Sequence, residues 1–160
     1  MRLCYDIGFA FYQGSSEEID SEVLRLSMDY LINLDRVWRR NNPRAPKLYK
    51  AGVFYDRTAT WYSTPDIYVH GRADCKSLSA ALIAELREDG VACSPCFRHV
   101  TSRDRAGRET KEYHILVQLE GPRKGMFGAK SIIAEDPSLR LGMAEYYAAQ
   151  GLQLVGISDE

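Results

Sequence analysis

The sequence predicts an α+β domain in which a helix carrying a cysteine at its first turn packs on an antiparallel sheet. Three observations predict it. Gly71-Arg-Ala-Asp-Cys75 runs into an alanine- and leucine-rich stretch that buries Leu78, Leu82 and Leu86 at steps of four, opens on a capping Asp74 and stops at Gly90. Val91 to Thr101 and Tyr113 to Leu119 are strand-like segments joined by a charged turn around Gly107, which is a hairpin. Lys130 to Asp136 adds a third short strand.

The other elements follow in order. Leu3, Tyr5, Ile7, Phe9 and Phe11 alternate as in a half-buried strand. Ser15 and Glu18 match a capping box, and Ile19, Val23, Leu26, Tyr30, Leu34 and Val37 form the apolar stripe of a long helix that ends before Pro43. This strand and helix occupy residues 1–42. Residues 43–73 show no helical period and carry Tyr49, Phe54, Tyr55, Trp61, Tyr62 and Tyr68, so they read as a long packed loop, either core or one wall of a cleft. Gly121 to Gly128 reads as a glycine-rich loop, Leu139 to Gln150 as a short helix, and Leu152 to Ile157 as an edge strand.

The whole chain bounds what such a domain does. Its 160 residues suit a single domain, residues 1–160. A formal net charge of -1 with 27% charged residues gives no global attraction to nucleic acid or an acidic membrane. No segment resembles a secretory signal or a membrane span, which predicts a chain that stays in the cytoplasm of the producing cell. Four cysteines do not make a disulfide scaffold.

Cys75 is the informative residue. A helix N-terminus presents unpaired N–H groups and partial positive charge, which favour thiolate. His114, in Glu112-Tyr-His-Ile-Leu-Val117, and Asp136, before Pro137, supply a base and a carboxylate to orient it. His114 points opposite to Tyr113 and Ile115, so it faces the helix start or solvent if those face the core. Amide chemistry also needs oxyanion donors. The Cys75 backbone N–H is one, and Trp61, His70 and Tyr62 are candidates for a second donor or for the groove, with Gln118 more distant.

Gly-x-x-Asp-Cys-Lys heading this helix, Tyr113-His114 opening a strand, and Glu135-Asp136-Pro137-Ser138 resemble the transglutaminase-like superfamily of papain-type cysteine enzymes over residues 71–138. Arg72 to Leu78 and Glu135 to Met143 are most similar to small members encoded among bacteriophage structural genes. The resemblance implies a papain-like fold and hydrolysis or transfer at a protein, peptide or peptidoglycan-like amide. It assigns Cys75 as nucleophile, His114 as base and acid, and Asp136 as orienting carboxylate, with no metal or organic cofactor. It further implies phage structural proteins as partners and a place in the virion. Two positions depart from the family's pattern: Ile115 follows the histidine where many relatives carry an aromatic residue, and Tyr68-Val69-His70 stands where a tryptophan or glutamine usually precedes the cysteine.

Two other readings stay open. One is an inactive, virion-associated structural or binding protein that keeps the fold with an occluded thiol. The other is a zinc or redox site at Cys93-Ser-Pro-Cys96 with His99 or His70, against which the C-x-x-C begins a strand instead of a helix and lacks a matching second pair.

Overall fold

The computed structural model describes residues 17–123 and 130–158. The strand expected at Leu3 to Phe11, the capping Ser15 and residues 124–129 of the glycine-rich loop lie outside the described residues. The fold is α+β. In chain order come α1 (Glu17–Asn41), a single 3-10 turn (Leu48–Lys50), β1 (Phe54–Tyr55), α2 (Thr64–His70), β2 (Arg72–Ala73) and α3 (Cys75–Glu88). These are followed by β3 (Cys93–Arg103), β4 (Glu109–Arg123), β5 (Lys130–Glu135), α4 (Pro137–Arg140), α5 (Met143–Ala149) and β6 (Gln153–Ser158).

Four strands form an antiparallel sheet in the order β5-β4-β3-β6, and β1 pairs with β2 in a separate parallel ladder. The expected hairpin is β3–β4, with Phe97 opposite Ile115 and Arg98 opposite His114. Its turn is shorter than the sequence suggested: β3 runs to Arg103 and β4 starts at Glu109, because the Asp104 carboxylate accepts from the Ala106 and Arg108 amides and closes the turn over left-handed Gly107. Gly121 to Arg123 are likewise strand and not loop.

α3 is buried on most of its circumference, with Leu78, Ala80, Ala81, Leu82, Ile83 and Ala84 all inside, because α1 covers one side and the sheet the other. Arg39 of α1 meets Glu85 Oε2 of α3 at 2.7 Å in the interior, and the same oxygen accepts from the Leu48 amide at 2.9 Å. The stripe read from the sequence of α1 is not the one the core takes. Met28, Leu31 and Ile32 are buried, whereas Leu26, Tyr30, Leu34 and Val37 are exposed on the opposite face. A 3.6-residue period fixes a helix, but two apolar stripes on one helix compete for the inside, and only packing against α3 chooses.

Residues 43–73 are not one loop. Ser63-Thr64-Pro65 opens α2 and Gly71, at φ 68°, ends it, both ordinary signals within an aromatic-rich stretch that lacks periodicity. The Thr64 amide donates to Asp35 of α1 at 2.6 Å, pinning α2 to the long helix. Burial pushes the Asp35 carboxyl up to about 7, against the lowering effect of Thr64 and Arg39.

Candidate active site

Cys75 is the first residue of α3, fixed there by its neighbours on both sides. Asp74 caps the helix by accepting from the Ser77 amide at 3.4 Å. Ser77 Oγ in turn accepts from the Tyr62 amide at 2.9 Å, and Lys76 Nζ donates to the Thr58 carbonyl at 2.7 Å and to Asp74. One turn further on, Ser79 Oγ donates to the Ile115 carbonyl at 2.8 Å. That bond locks the start of α3 onto β4 beside His114.

His114 is 1% exposed. The expectation that it faced solvent or the helix start resolves to the helix start, since β4 is covered on both faces from His114 to Val117. Its Nε2 lies 2.8 Å from Asp136 Oδ2, and the ring lines the same cleft as the Cys75 sulfur, close enough for the sulfur to act on its pKa. Burial alone would lower the imidazole pKa. The Asp136 carboxylate, hydrogen-bonded to the ring, and the nearby Cys75 sulfur outweigh it and raise the ring from 6.5 to about 9. The surroundings of the ring therefore favour its imidazolium form.

Asp136 sits where β5 ends and α4 begins. Its Oδ1 accepts from the Ser138 amide at 2.9 Å and the Leu139 amide at 3.1 Å, so the oxygen facing His114 has little freedom to turn. Adjacent Glu135 is braced as well: Tyr49 Oη donates to it at 2.6 Å and Arg140 Nη1 at 3.1 Å, with the Arg140 guanidinium 4.0 Å from the Tyr49 ring centre. The junction is held from both strands of chain that meet there.

Cys75 is half-buried and opens on a cleft of about 450 Å³ that it shares with His114. Tyr55, Arg57, Glu112 and Tyr147 line the same cleft. Arg57 and Tyr147 both engage the Glu112 carboxylate, at 2.9 and 3.1 Å. Burial and the Glu112 charge push the Tyr147 phenol up to about 12. Tyr55 is brought in by β1: its backbone pairs with Ala73, two residues before Cys75, and its amide donates to the Leu141 carbonyl at 2.7 Å. Burial first, and the Cys75 sulfur next, raise the Tyr55 phenol well above its ordinary range, so it remains a proton donor. A second concavity, about 500 Å³ at the β3–β4 turn, holds none of the three triad residues.

The structure brings Cys75, His114 and Asp136 together. It does not bring Trp61, Tyr62 or His70 into the cleft lining. Tyr62 stacks on His70 at 4.7 Å between ring centres, and Trp61 lies beside the Lys76 ammonium at 5.8 Å. The side chains of Cys93 and Cys96, three apart on a strand, project to opposite faces of β3, and both thiols are free and buried. His99 leans on Tyr113 across the hairpin. Among the described residues no group of three or more His, Cys, Asp or Glu is placed to hold a metal ion.

Sequence reasoning placed Tyr55 only among the aromatics of a stretch read as core or cleft wall, and missed Arg57 and Tyr147 as site residues. The only available signal was the aromatic density of residues 49–68. Comparison with protein-family models, with curated proteins and with solved structures finds no match in any of the three, so the reading of this site rests on its own geometry.

Proposed function

We propose that the chain is a thiol-dependent amide hydrolase or acyltransferase of the transglutaminase-like type, working through a thioester. The observation that carries this is the buried His114 ring, bound to Asp136, in an open cleft that it shares with the half-buried Cys75. An imidazolium beside a sulfur favours the thiolate. The sulfur attacks the amide carbon, a C–S bond forms, and the carbonyl electrons move onto oxygen. The Cys75 backbone N–H and the Tyr55 phenol are the donors for that oxyanion. As the intermediate collapses, His114 delivers its proton to the departing nitrogen and the C–N bond breaks. His114 then takes a proton from water, or from an amine, as its oxygen or nitrogen attacks the thioester carbon; the C–S bond breaks, the acid or the new amide leaves, and the thiolate and imidazolium of the starting state are restored. Asp136 holds the ring in register throughout.

Hydrolysis is favoured over transfer because water needs no second substrate pocket. The substrate is a protein, peptide or peptidoglycan-like amide. Phage structural proteins as partners rest on the sequence resemblance alone. An inactive relative would keep its thiol sealed, whereas Cys75 lines the cleft.

The test uses p-nitrophenyl acetate as acyl donor and iodoacetamide as alkylating probe on the full chain. Cys75→Ala and His114→Ala are expected to abolish acylation, and Cys93→Ala to leave it unchanged. Acylation that survives Cys75→Ala, or that disappears equally with Cys93→Ala, would overturn the assignment.

A further inference from the structure

Around the thiol, the ion pairs among the described residues are of two kinds. Asp74 with Lys76 and Asp136 with His114 are closed pairs, in which no side chain is more than 14% exposed. Arg57 with Glu112 is uneven: the guanidinium is 56% exposed and the carboxylate 25%. Both residues line the cleft that Cys75 and His114 share, so the charge that an incoming molecule meets at this wall is positive.

Glu112 holds that cation without saturating it. Tyr147 Oη donates to Glu112 Oε2 at 3.1 Å, and Arg57 Nη2 reaches Oε1 at 2.9 Å. With one carboxylate oxygen taken by the phenol, the pair is not the two-pronged grip that a guanidinium and a carboxylate otherwise form. A guanidinium carries five N–H donors in a planar fork, and among the described residues Glu112 is the one carboxylate paired with Arg57. The remaining N–H edge therefore suits a second carboxylate, and the anchored one keeps it aimed. An approaching ammonium, by contrast, meets the guanidinium first and finds both Glu112 oxygens engaged. Position adds to this. Glu112 stands two residues before His114 on β4, so the two side chains share a face of the strand, roughly 7 Å apart along it.

We infer that Arg57 sets the specificity of this cleft: the amide acted on carries a carboxylate within about two residues of the scissile bond, received by the open edge of the Arg57 guanidinium. The inference rests on the reading of Cys75 as nucleophile and adds to it the class of substrate. A chain terminus and an acidic side chain offer the same group.

The test is alkylation of Cys75 in the full chain, followed by peptide mass spectrometry, with far-UV circular dichroism as the check on folding. Three probes share one iodoacetyl warhead: N-iodoacetylglycine presents a terminal carboxylate, N-iodoacetylaspartic acid α-amide a side-chain carboxylate, and N-iodoacetylglycinamide no charge. The readout is the ratio of anionic to neutral rate within each protein, which cancels changes in the thiol itself. At least one anionic probe should gain about threefold to fivefold from Arg57, the worth of one partly exposed ion pair, and the one that gains names the source of the carboxylate. Arg57→Gln should lose that gain and turn the ratio below its value in Arg57→Gln/Glu112→Gln, since it unmasks the Glu112 charge. Arg57→Lys should keep part of it, and Glu112→Gln should raise it, a direction that misfolding does not produce. Ratios alike in the unaltered chain, Arg57→Gln and Glu112→Gln would overturn the inference. Acylation by p-nitrophenyl acetate on the same preparations separates the two readings: Cys75-dependent acylation without a charge preference overturns the inference alone, whereas a preference without Cys75-dependent acylation overturns the enzymatic reading and leaves the carboxylate site standing.

Discussion

His114 receives opposite instructions from its surroundings: burial disfavours its charge, and Asp136 with Cys75 favours it more strongly. Nuclear magnetic resonance titration should therefore find the His114 ring near 9, and Asp136→Asn should lower that value. Because the imidazolium delivers the proton to the leaving nitrogen, turnover should fall as pH rises through about 9. Tyr55 is separable from the thiol chemistry. Tyr55→Phe should slow acylation by p-nitrophenyl acetate on the order of 100-fold, the cost of losing one oxyanion donor, and leave alkylation by iodoacetamide unchanged, since alkylation forms no oxyanion. Equal rates in both assays would remove Tyr55 from the mechanism. At this scale Cys75, His114 and Asp136 were legible in the sequence, because a capped helix start, a strand and an X-Pro junction each announce themselves locally. Tyr55 was not. It reaches the cleft through a two-residue parallel pairing with β2, too short to carry any periodicity.

Among the elements, α3 and the hairpin could be read directly, and the arrangement around them could not. Asp74 and Gly90 bracket α3 in sequence as they do in space. Nothing local distinguishes the inward stripe of α1 from its exposed one, and α2 was hidden because aromatics at no fixed spacing surround its Ser63, Pro65 and Gly71 signals. What joins these helices is polar and interior. Arg39 and Glu85 are both nearly excluded from water, and Glu85 also satisfies the Leu48 amide. Glu85→Ala should cost about 3 to 5 kcal/mol in chemical denaturation, because it leaves a buried guanidinium without its counter-charge and the Leu48 amide without its acceptor. A loss below about 1 kcal/mol would mean that Arg39 finds water or another acceptor.

The molecule as a whole should respond to pH in one direction across a wide range. Asp35 and His114 both have raised folded values, so each contributes stability that is complete below its unfolded value and lost as pH climbs through its folded one. For Asp35 the window is 3.8 to about 7, and for His114 it is 6.5 to about 9. Urea midpoints should accordingly decline from mildly acidic to alkaline solution, as the unfolding free energy falls by a few kcal/mol in total. Asp35→Asn should flatten the lower part of the curve and His114→Gln the upper part. A midpoint constant from pH 5 to 9 would contradict both assignments.

The base rides on β4, an inner strand roofed by α3, whereas the cleft wall at residues 56–60 is irregular backbone tied to α3 through Lys76. Amide protons around Ile115 should thus exchange with deuterium only when the entire domain opens, while those of residues 56–60 exchange through brief local excursions. A bulky acyl group could then be admitted by the wall's breathing, with the proton-transfer apparatus never leaving its seat.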